Sequence, residues 1–252
     1  MNAENEFSLE VGYVDKDNVT HTSYTLKEMT GKEEEAIHKS DVKGNSAKAI
    51  TRLLAYCVTS IGSLTPKSVG KFTEWEKIIK SLYAGDVDNM LLNLRKISIG
   101  EEVTVQHLCP FCKTKLNTTF NVDELPKIPF KGNTVIPFTL KGGYVDGKGE
   151  VHKEGTLRLP THEDRELAFP LAKKNVAYAE TFMLSRLCTF NDGYPIDDTV
   201  MRALTVKDRK YLTGILKENN FGVDTVINSV CSNCGEELQV NMQSLANDFF
   251  SA

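Results

Sequence analysis

The sequence predicts an α+β protein in which one module occurs twice and packs on itself with pseudo-two-fold symmetry. Each module is predicted to contain a β-hairpin, several helices and a second β-hairpin with two cysteines at its tip. Three observations predict this fold: a segment that recurs at constant spacing, strand-like and helix-like runs in the same order, and one Cys-x-x-Cys pair per half. The predicted modules are residues 1–126 and 127–252.

The internal repeat is visible directly in the sequence. Gly12-Tyr13-Val14-Asp15 recurs as Gly143-Tyr144-Val145-Asp146, which is 131 residues later (144 − 13), and His21 matches His152 at the same spacing. About a dozen identical residues match in this stretch, several times what unrelated sequences show. Towards the C-terminus the spacing falls to 122 (231 − 109), so the second copy is predicted to carry a net deletion of nine residues (131 − 122).

The first elements of the first module each have a local signature. Phe7–Val14 and Val19–Leu26 flank a polar turn and predict a β-hairpin. Thr30 stands three residues before Glu33, the spacing of a helix-capping box. Ala47–Ile61 carries apolar residues at helical spacing and predicts a helix that Gly62 ends.

The rest of the first module reads as two helices and a hairpin. Thr73 is predicted to start a helix, and Asp86 is predicted to cap another over Val87–Lys96. Glu102–Leu108 and Lys115–Val122 predict the second hairpin, with Cys109-Pro110-Phe111-Cys112 at its tip.

The second module repeats this order after a boundary marked by Pro126, Pro129 and Pro137. The matching signatures are the turn Gly147-Lys148-Gly149, the capping pair Thr161 and Asp164, the helix Val176–Cys188, the predicted cap Asp208, and the strands Val223–Val230 and Glu237–Met242 around Cys231-Ser232-Asn233-Cys234.

The cysteine pairs predict a metal site. Two cysteines separated by two residues at a hairpin tip supply half of a tetrahedral zinc site. Cys109, Cys112, Cys231 and Cys234 therefore predict one structural zinc per chain. The separation between the pairs exceeds that of ordinary zinc ribbons, but a pseudo-two-fold axis would bring equivalent tips together. Four thiolates leave no open position for water, so this zinc would stabilise rather than catalyse.

Several alternative roles for the cysteine pairs stay open. A redox pair would place its thiols at a helix N-terminus, whereas these pairs lie between strands. A disulfide within each pair is disfavoured in a reducing compartment. The pairs could also be remnants of a lost site, iron could replace zinc, and His107 could replace a cysteine ligand.

The remaining cysteines and histidines predict no further site. Cys57 and Cys188 occupy equivalent helical positions and are predicted to be small buried apolar residues. His21 and His152 are predicted to be surface or strand-end histidines without a partner carboxylate. Trp75 and the adjacent Phe249-Phe250 could pack in the core or contact a partner.

Composition excludes several functional classes. The net charge of −4 over 252 residues gives none of the overall basic character that favours nucleic-acid binding, although it leaves a local basic surface open. No apolar run is long enough to cross a bilayer, and the acidic segment 1–6 does not resemble a secretory signal. The sequence lacks a Walker loop, G-x-S-x-G and H-E-x-x-H. We therefore expect a non-enzymatic protein without a small-molecule substrate, membrane or nucleic-acid partner.

Two segments carry a family resemblance. Phe7-Ser8-Leu9 with Gly12-Tyr13-Val14-Asp15, followed by Tyr24-Thr25-Leu26-Lys27-Glu28-Met29-Thr30-Gly31-Lys32-Glu33-Glu34-Glu35-Ala36-Ile37, resemble the baseplate hub and tail assembly proteins of T-even-like contractile-tailed bacteriophages. The resemblance is strongest over residues 7–60 and spans most of the chain. It implies a non-catalytic structural or assembly subunit of the central hub, whose partners are other baseplate hub or tail proteins.

The resemblance also implies a location and leaves alternatives. We expect the protein in the host cytoplasm during assembly, and in the virion tail baseplate if it is a structural subunit. One alternative is a tail assembly chaperone that is absent from the mature virion. A second alternative, from the cysteines, is a zinc-ribbon adaptor that binds nucleic acid.

Overall fold

The computed structural model of the protein describes residues 5–37, 44–224 and 226–241. Phe249 and Phe250 lie outside these described residues. Helices and several small antiparallel sheets are interspersed along the chain, so the predicted α+β class is confirmed. No helix within the described ranges is long and apolar enough to cross a membrane.

Residues up to 126 are called the first half, and those from 127 the second half. The first half contains β1 (Asn5–Val14), β2 (Thr20–Leu26), α1 (Gly31–Ile37), α2 (Ser46–Cys57), β3 (Val58–Ile61), α3 (Pro66–Val69), α4 (Phe72–Ser81), α5 (Ala84–Ser98), β4 (Glu102–Leu108), β5 (Lys115–Asn121) and a 3₁₀ turn (Val122–Glu124). The second half contains β6 (Lys127–Ile128), β7 (Val135–Val145), β8 (Val151–Arg158), α6 (His162–Ala172), α7 (Val176–Leu187), β9 (Cys188–Phe190), α8 (Asp198–Ala203), α9 (Val206–Glu218), β10 (Gly222–Val223), β11 (Val226–Val230) and β12 (Glu237–Asn241).

Each half has a three-stranded antiparallel sheet with its second strand in the centre. The strand orders are β1-β2-β3 and β7-β8-β9. Both first hairpins contain a register irregularity, between Ser8 and Tyr13 in one and between Thr139 and Tyr144 in the other. Gly12 in the first irregularity has φ +92°, and a Cβ there would lie 2.8 Å from the backbone oxygen of His21. The bulge therefore requires a glycine at this position.

Two buried carboxylates hold these bulges, so the prediction that they cap helices is wrong. Helix α5 begins after Tyr83 and α9 after Thr205. Asp86 lies in the first turn of α5, and its carboxylate accepts hydrogen bonds from the amides of residues 10, 11 and 12 at 2.6–3.3 Å. Asp208 accepts from the amides of residues 141, 142 and 143 in the same way.

The predicted helix Ala47–Ile61 is wrong over its last residues. Helix α2 ends at Cys57, and the next four residues form β3, which pairs with β2. Val58 and Ile61 are β-branched and fully buried, so they fit a pleated strand in the core. The apolar spacing of a helix that leads directly into a buried strand is continuous, and sequence periodicity alone does not show where one ends.

Two hydrophobic cores lie between these sheets and the helices of the same half. The first includes Trp75 and Tyr24, both with no exposed surface, and the second includes Leu157 and Leu212. Trp75 is therefore a core residue. Burial of the apolar side chains in these cores is the principal stabilising contribution to each half.

A joint between the halves forms where α6 packs on α2 and α4. Glu166 of α6 accepts hydrogen bonds from Thr51 at 2.8 Å and Lys80 at 2.9 Å. The ring of His162 lies 2.9 Å, Nε2 to O, from the carbonyl of Ala47. These polar contacts fix the orientation of α6 on the first half, because buried partners left unpaired would be costly.

Candidate metal centre

The two candidate cysteine pairs lie at the tips of two similar hairpins. Strand β4 pairs with β5, and β11 pairs with β12, each in continuous antiparallel register. At the first tip the amide of Cys109 donates to the carbonyl of Thr114, and at the second the amide of Cys231 donates to the carbonyl of Glu236, both at 2.9 Å. This turn directs both cysteines of a pair towards one point, as a metal knuckle requires.

The residue after each second cysteine helps to form the tight turn. Lys113 has φ +62°, and Gly235, one residue after Cys234, has φ +76°. Each amide donates back to the carbonyl of the first cysteine in its pair, at 3.0 and 2.8 Å. Glycine adopts the left-handed conformation without strain, whereas lysine does so at a cost that the surrounding turn offsets.

The structure brings the four predicted sulfur atoms together. The Sγ of Cys109 lies 3.7 Å from that of Cys234, and the Sγ of Cys112 lies 3.6 Å from that of Cys231. All four sulfurs lie within 4.8 Å of one another. Residues more than a hundred positions apart in the chain therefore share one site.

This arrangement fits a tetrahedral metal ion. With Zn–S bonds of about 2.3 Å, sulfurs at the corners of a tetrahedron are about 3.8 Å apart. The two cross-hairpin distances are close to this value. Cys109 and Cys231 are buried, Cys112 is half-buried and Cys234 is exposed, so the site lies at the protein surface with one side open to water.

The local electrostatics favour thiolate at some of these positions and oppose it at another. The hydroxyl of Thr114, the side chain of Asn233 and the amide of Thr114 lower the pKa of Cys112 to about 5. The amide of Glu236 favours the thiolate of Cys234, but desolvation and the neighbouring sulfurs outweigh it and raise the pKa of Cys234 to about 12. The positive charge of a bound divalent cation would offset the repulsion between neighbouring thiolates. All four thiols could then be deprotonated, as metal ligation requires.

Contacts beneath the sulfurs join the two hairpins independently of a metal. Leu116 and Leu238 pack against the buried cysteines. The hydroxyl of Thr118 lies 3.2 Å from that of Ser229 in the other hairpin. His107 lies 2.8 Å from the Thr118 hydroxyl through its Nε2, and it is not among the residues that the structure brings together as metal ligands.

The other two cysteines lie in the cores. Cys57 and Cys188 are buried, as predicted, and burial raises the pKa of each thiol to about 12. All six cysteines are free thiols.

His21 and His152 were predicted to be surface or strand-end histidines without a partner carboxylate. The strand-end position is confirmed, since they are the second residues of β2 and β8, but the surface position and the absence of a carboxylate are wrong. Both rings are buried; His21 Nε2 lies 2.9 Å from Asp15, and His152 Nδ1 lies 2.6 Å from Asp192. The partners come from turns whose conformation the sequence spacing did not indicate.

A comparison with protein families addresses the role of the chain. The model of the family described as T4 bacteriophage base plate protein matches residues 13–179. The chain belongs to this family. Among curated proteins and solved structures, the comparison found no match.

The family match covers the first cysteine pair but ends before the second. Cys109 and Cys112 lie within the matched residues, whereas Cys231 and Cys234 follow them. The baseplate role therefore rests on the family, and the metal site rests on the positions of the sulfurs in this chain.

Proposed function

We propose that this baseplate family member is a non-catalytic structural or assembly subunit of the central hub, in which one zinc ion bound by Cys109, Cys112, Cys231 and Cys234 joins two repeats. The observation that carries the metal proposal is the convergence of the four sulfurs within 4.8 Å. The family supports the baseplate role, and its description implies a structural part rather than an enzyme.

The proposed zinc acts as a bond between the halves. Each hairpin supplies two sulfurs, so neither half alone completes a tetrahedral site. Binding would therefore stabilise the conformation in which the hairpin tips meet, and the binding free energy becomes folding free energy. Zinc fits better than iron because four thiolates in a reducing cytoplasm usually select it.

The proposed repeats, residues 1–126 and 127–252 related by a pseudo-two-fold axis, are supported by matching contacts. Tyr13 stacks on His21 and Tyr144 stacks on His152, both with ring centroids 6.2 Å apart. The bulges bound by Asp86 and Asp208 also correspond. An internal duplication of this kind would account for equivalent cysteines that meet at an axis between the halves.

A second matching set lies at the start of α1 and α6. Thr30 donates its amide to Glu33, which also pairs with Lys27 at 2.7 Å. Thr161 donates its amide to Asp164, which pairs with Arg158 at 2.7 Å. The three positions of each set differ by the same 131 residues (158 − 27, 161 − 30, 164 − 33).

The proposed partners are other hub or tail proteins, first in the host cytoplasm and then in the virion tail baseplate. Mass spectrometry of purified virions tests this location. Detection of the chain at a stoichiometry comparable with other baseplate subunits supports the structural role. Its absence from virions, together with its presence in infected cells, would instead favour the chaperone alternative.

Metal analysis tests the zinc site. Protein purified without chelator should contain one zinc per chain, and Cys109→Ser and Cys231→Ser should each abolish stoichiometric binding. Loss of a ligand that weakens binding at least 100-fold removes about 3 kcal/mol and should lower Tm by about 10 °C. Both variants should show similar losses because both cysteines are buried in equivalent turns.

Cys57→Ala and Cys188→Ala are the matched controls, since they remove buried thiols outside the sulfur cluster. They should keep the full zinc content even where they reduce core packing. Purified wild-type protein without bound metal, or a Cys109→Ser/Cys231→Ser variant that retains it, would refute the site.

A further inference from the structure

We infer that the four clustered thiols also form an oxidative cross-linking site, in which peroxide joins the two halves through Cys109–Cys234 and Cys112–Cys231 disulfides when the metal is absent. The inference rests on the same cysteine cluster as the proposed function, but it does not require that the cluster bind zinc. It concerns which sulfur pairs with which.

Two pairs of sulfurs approach each other across the hairpins. Each cross-hairpin pair has its sulfurs within 3.7 Å, so only a small movement separates them from a covalent bond. A pair within one hairpin would have to form inside a turn already held by the amide of Cys109 bonded to Thr114 and the amide of Cys231 bonded to Glu236. A disulfide across the hairpins joins atoms of two different turns and does not have to close within either one.

Exposure gives each cross-hairpin pair an entry point for the oxidant. Cys234 is exposed and its partner Cys109 is buried, while Cys112 is half-buried and its partner Cys231 is buried. The sulfur that reaches solvent is the one that meets peroxide first. The buried sulfur then lies beside the oxidised one and resolves it.

The chemistry is balanced with hydrogen peroxide as the oxidant. The more exposed thiol of each pair first loses its proton to solvent. Its thiolate then attacks one peroxide oxygen, which gives a sulfenic acid and a hydroxide that takes up a proton to become one water. The buried thiol then attacks the sulfenic sulfur, forms the S–S bond and releases a second water. Two thiols have lost two electrons and two protons, and one peroxide has become two waters.

Such a site keeps the halves joined in conditions that remove the metal. A chain that leaves the reducing cytoplasm enters surroundings in which disulfides persist. The Cys109–Cys234 bond links residues 125 positions apart, so it constrains the unfolded chain over much of its length. The same four side chains would then connect the two hairpins in both environments.

Peptide mapping of the wild-type chain tests the pairing. Chelated, reductant-free protein is treated with hydrogen peroxide, its remaining thiols are blocked with iodoacetamide, and it is digested with trypsin without reduction. Cleavage after Lys96, Lys113 and Lys217 places Cys109 and Cys112 in peptide 97–113, and Cys231 and Cys234 in peptide 218–252. We expect the two peptides to be covalently joined; separate peptides, each with an internal disulfide or with sulfinic acids, would overturn the inference.

Two-cysteine variants assign the individual bonds. Cys112→Ser/Cys231→Ser leaves the proposed pair Cys109 and Cys234, and Cys109→Ser/Cys234→Ser leaves Cys112 and Cys231. Cys231→Ser/Cys234→Ser is the matched control, which leaves two thiols within one hairpin. Both cross-hairpin variants should form their disulfide faster than the control. A control that forms its disulfide faster than either variant would refute the pairing in that variant.

Zinc analysis of the same wild-type preparation separates the two proposals. A chain that lacks zinc but forms the joined peptides refutes the metal site and keeps the cross-linking site. A chain with one zinc, which after chelation gives only disulfides within each hairpin, keeps the metal site and refutes the cross-linking site. In the zinc-bound chain we expect slower peroxide modification than in the chelated chain.

Discussion

Acidification from pH 7 to pH 5 is expected to weaken the joint between the halves, because His162 is buried there in a form that resists protonation. Its side chain is 2% exposed, and its Nε2 donates to the carbonyl of Ala47. Its Nδ1 has no hydrogen-bond partner. Burial is the largest cause of the shift and, with the charge of Arg165, lowers the pKa of His162 to about 4 from its usual 6.5. The hydrogen bond to Ala47 and the charges of Asp88 and Glu166 oppose this shift.

The sign and size of the effect follow from linkage. Between pH 6.5 and 4 the unfolded chain binds a proton at this histidine and the folded chain does not, so folded stability falls as pH falls. The contribution is about 2 kcal/mol at pH 5 and about 3 kcal/mol at pH 4, because one pKa unit corresponds to about 1.4 kcal/mol. Above pH 6.5 both states hold a neutral ring and the effect disappears.

Urea denaturation at several pH values between 7 and 4.5 measures this contribution. His162→Gln can keep the hydrogen bond to Ala47 but does not titrate. The free energy of unfolding of the wild type should therefore fall by about 2 kcal/mol more than that of His162→Gln between pH 7 and 5. Equal slopes for the wild type and His162→Gln would refute the reasoning.

Two further pairs of variants test contacts within and between the halves by denaturant unfolding at pH 7. Asp164→Asn should cost about 2–3 kcal/mol, because the fully buried carboxylate of Asp164 accepts hydrogen bonds from the guanidinium groups of Arg158 and Arg186, which an amide can replace only in part. Glu33→Gln should cost less, since the carboxylate of Glu33 pairs with the single amine of Lys27, and an equal loss would contradict this explanation. Gly85→Ala should destabilise by about 2 kcal/mol because its Cβ would lie 2.5 Å from the carbonyl oxygen of Phe221. Gly214→Ala, in a helix with open space around the position, should instead stabilise the protein by about 0.5–1 kcal/mol. If both glycine variants stabilised the protein, the predicted clash at residue 85 would be wrong.

Local sequence signals predicted the parts of the fold that depend on neighbouring residues. The first hairpin and the capping pair of Thr161 and Asp164 were found because turns and caps are local. The strand after α2 was missed because its apolar residues continue the helical spacing. The role of Asp86 was missed because its hydrogen-bond partners are amides more than 70 positions away in the chain. Patterns of neighbouring residues carry no information about contacts at that separation.

The cysteine cluster was predictable for a different reason. Spacing within each pair indicated a knuckle, and the repeat indicated that equivalent tips could meet. Neither signal contained the Thr118–Ser229 contact beneath the sulfurs or the side chain of Asn233 beside Cys112, because these depend on how the hairpins face each other. That the four sulfurs hold zinc stays a prediction.

The long separation of the two hairpin tips has a consequence for synthesis on the ribosome. Cys112 meets Cys231, which is translated 119 residues later. At about 5–20 residues per second, the first pair of thiols waits roughly 6–24 seconds before its counterpart is made. During that interval the thiols of Cys109 and Cys112 lack their counterparts. Metal binding or oxidation at this stage would therefore determine whether the four sulfurs come together in the finished chain.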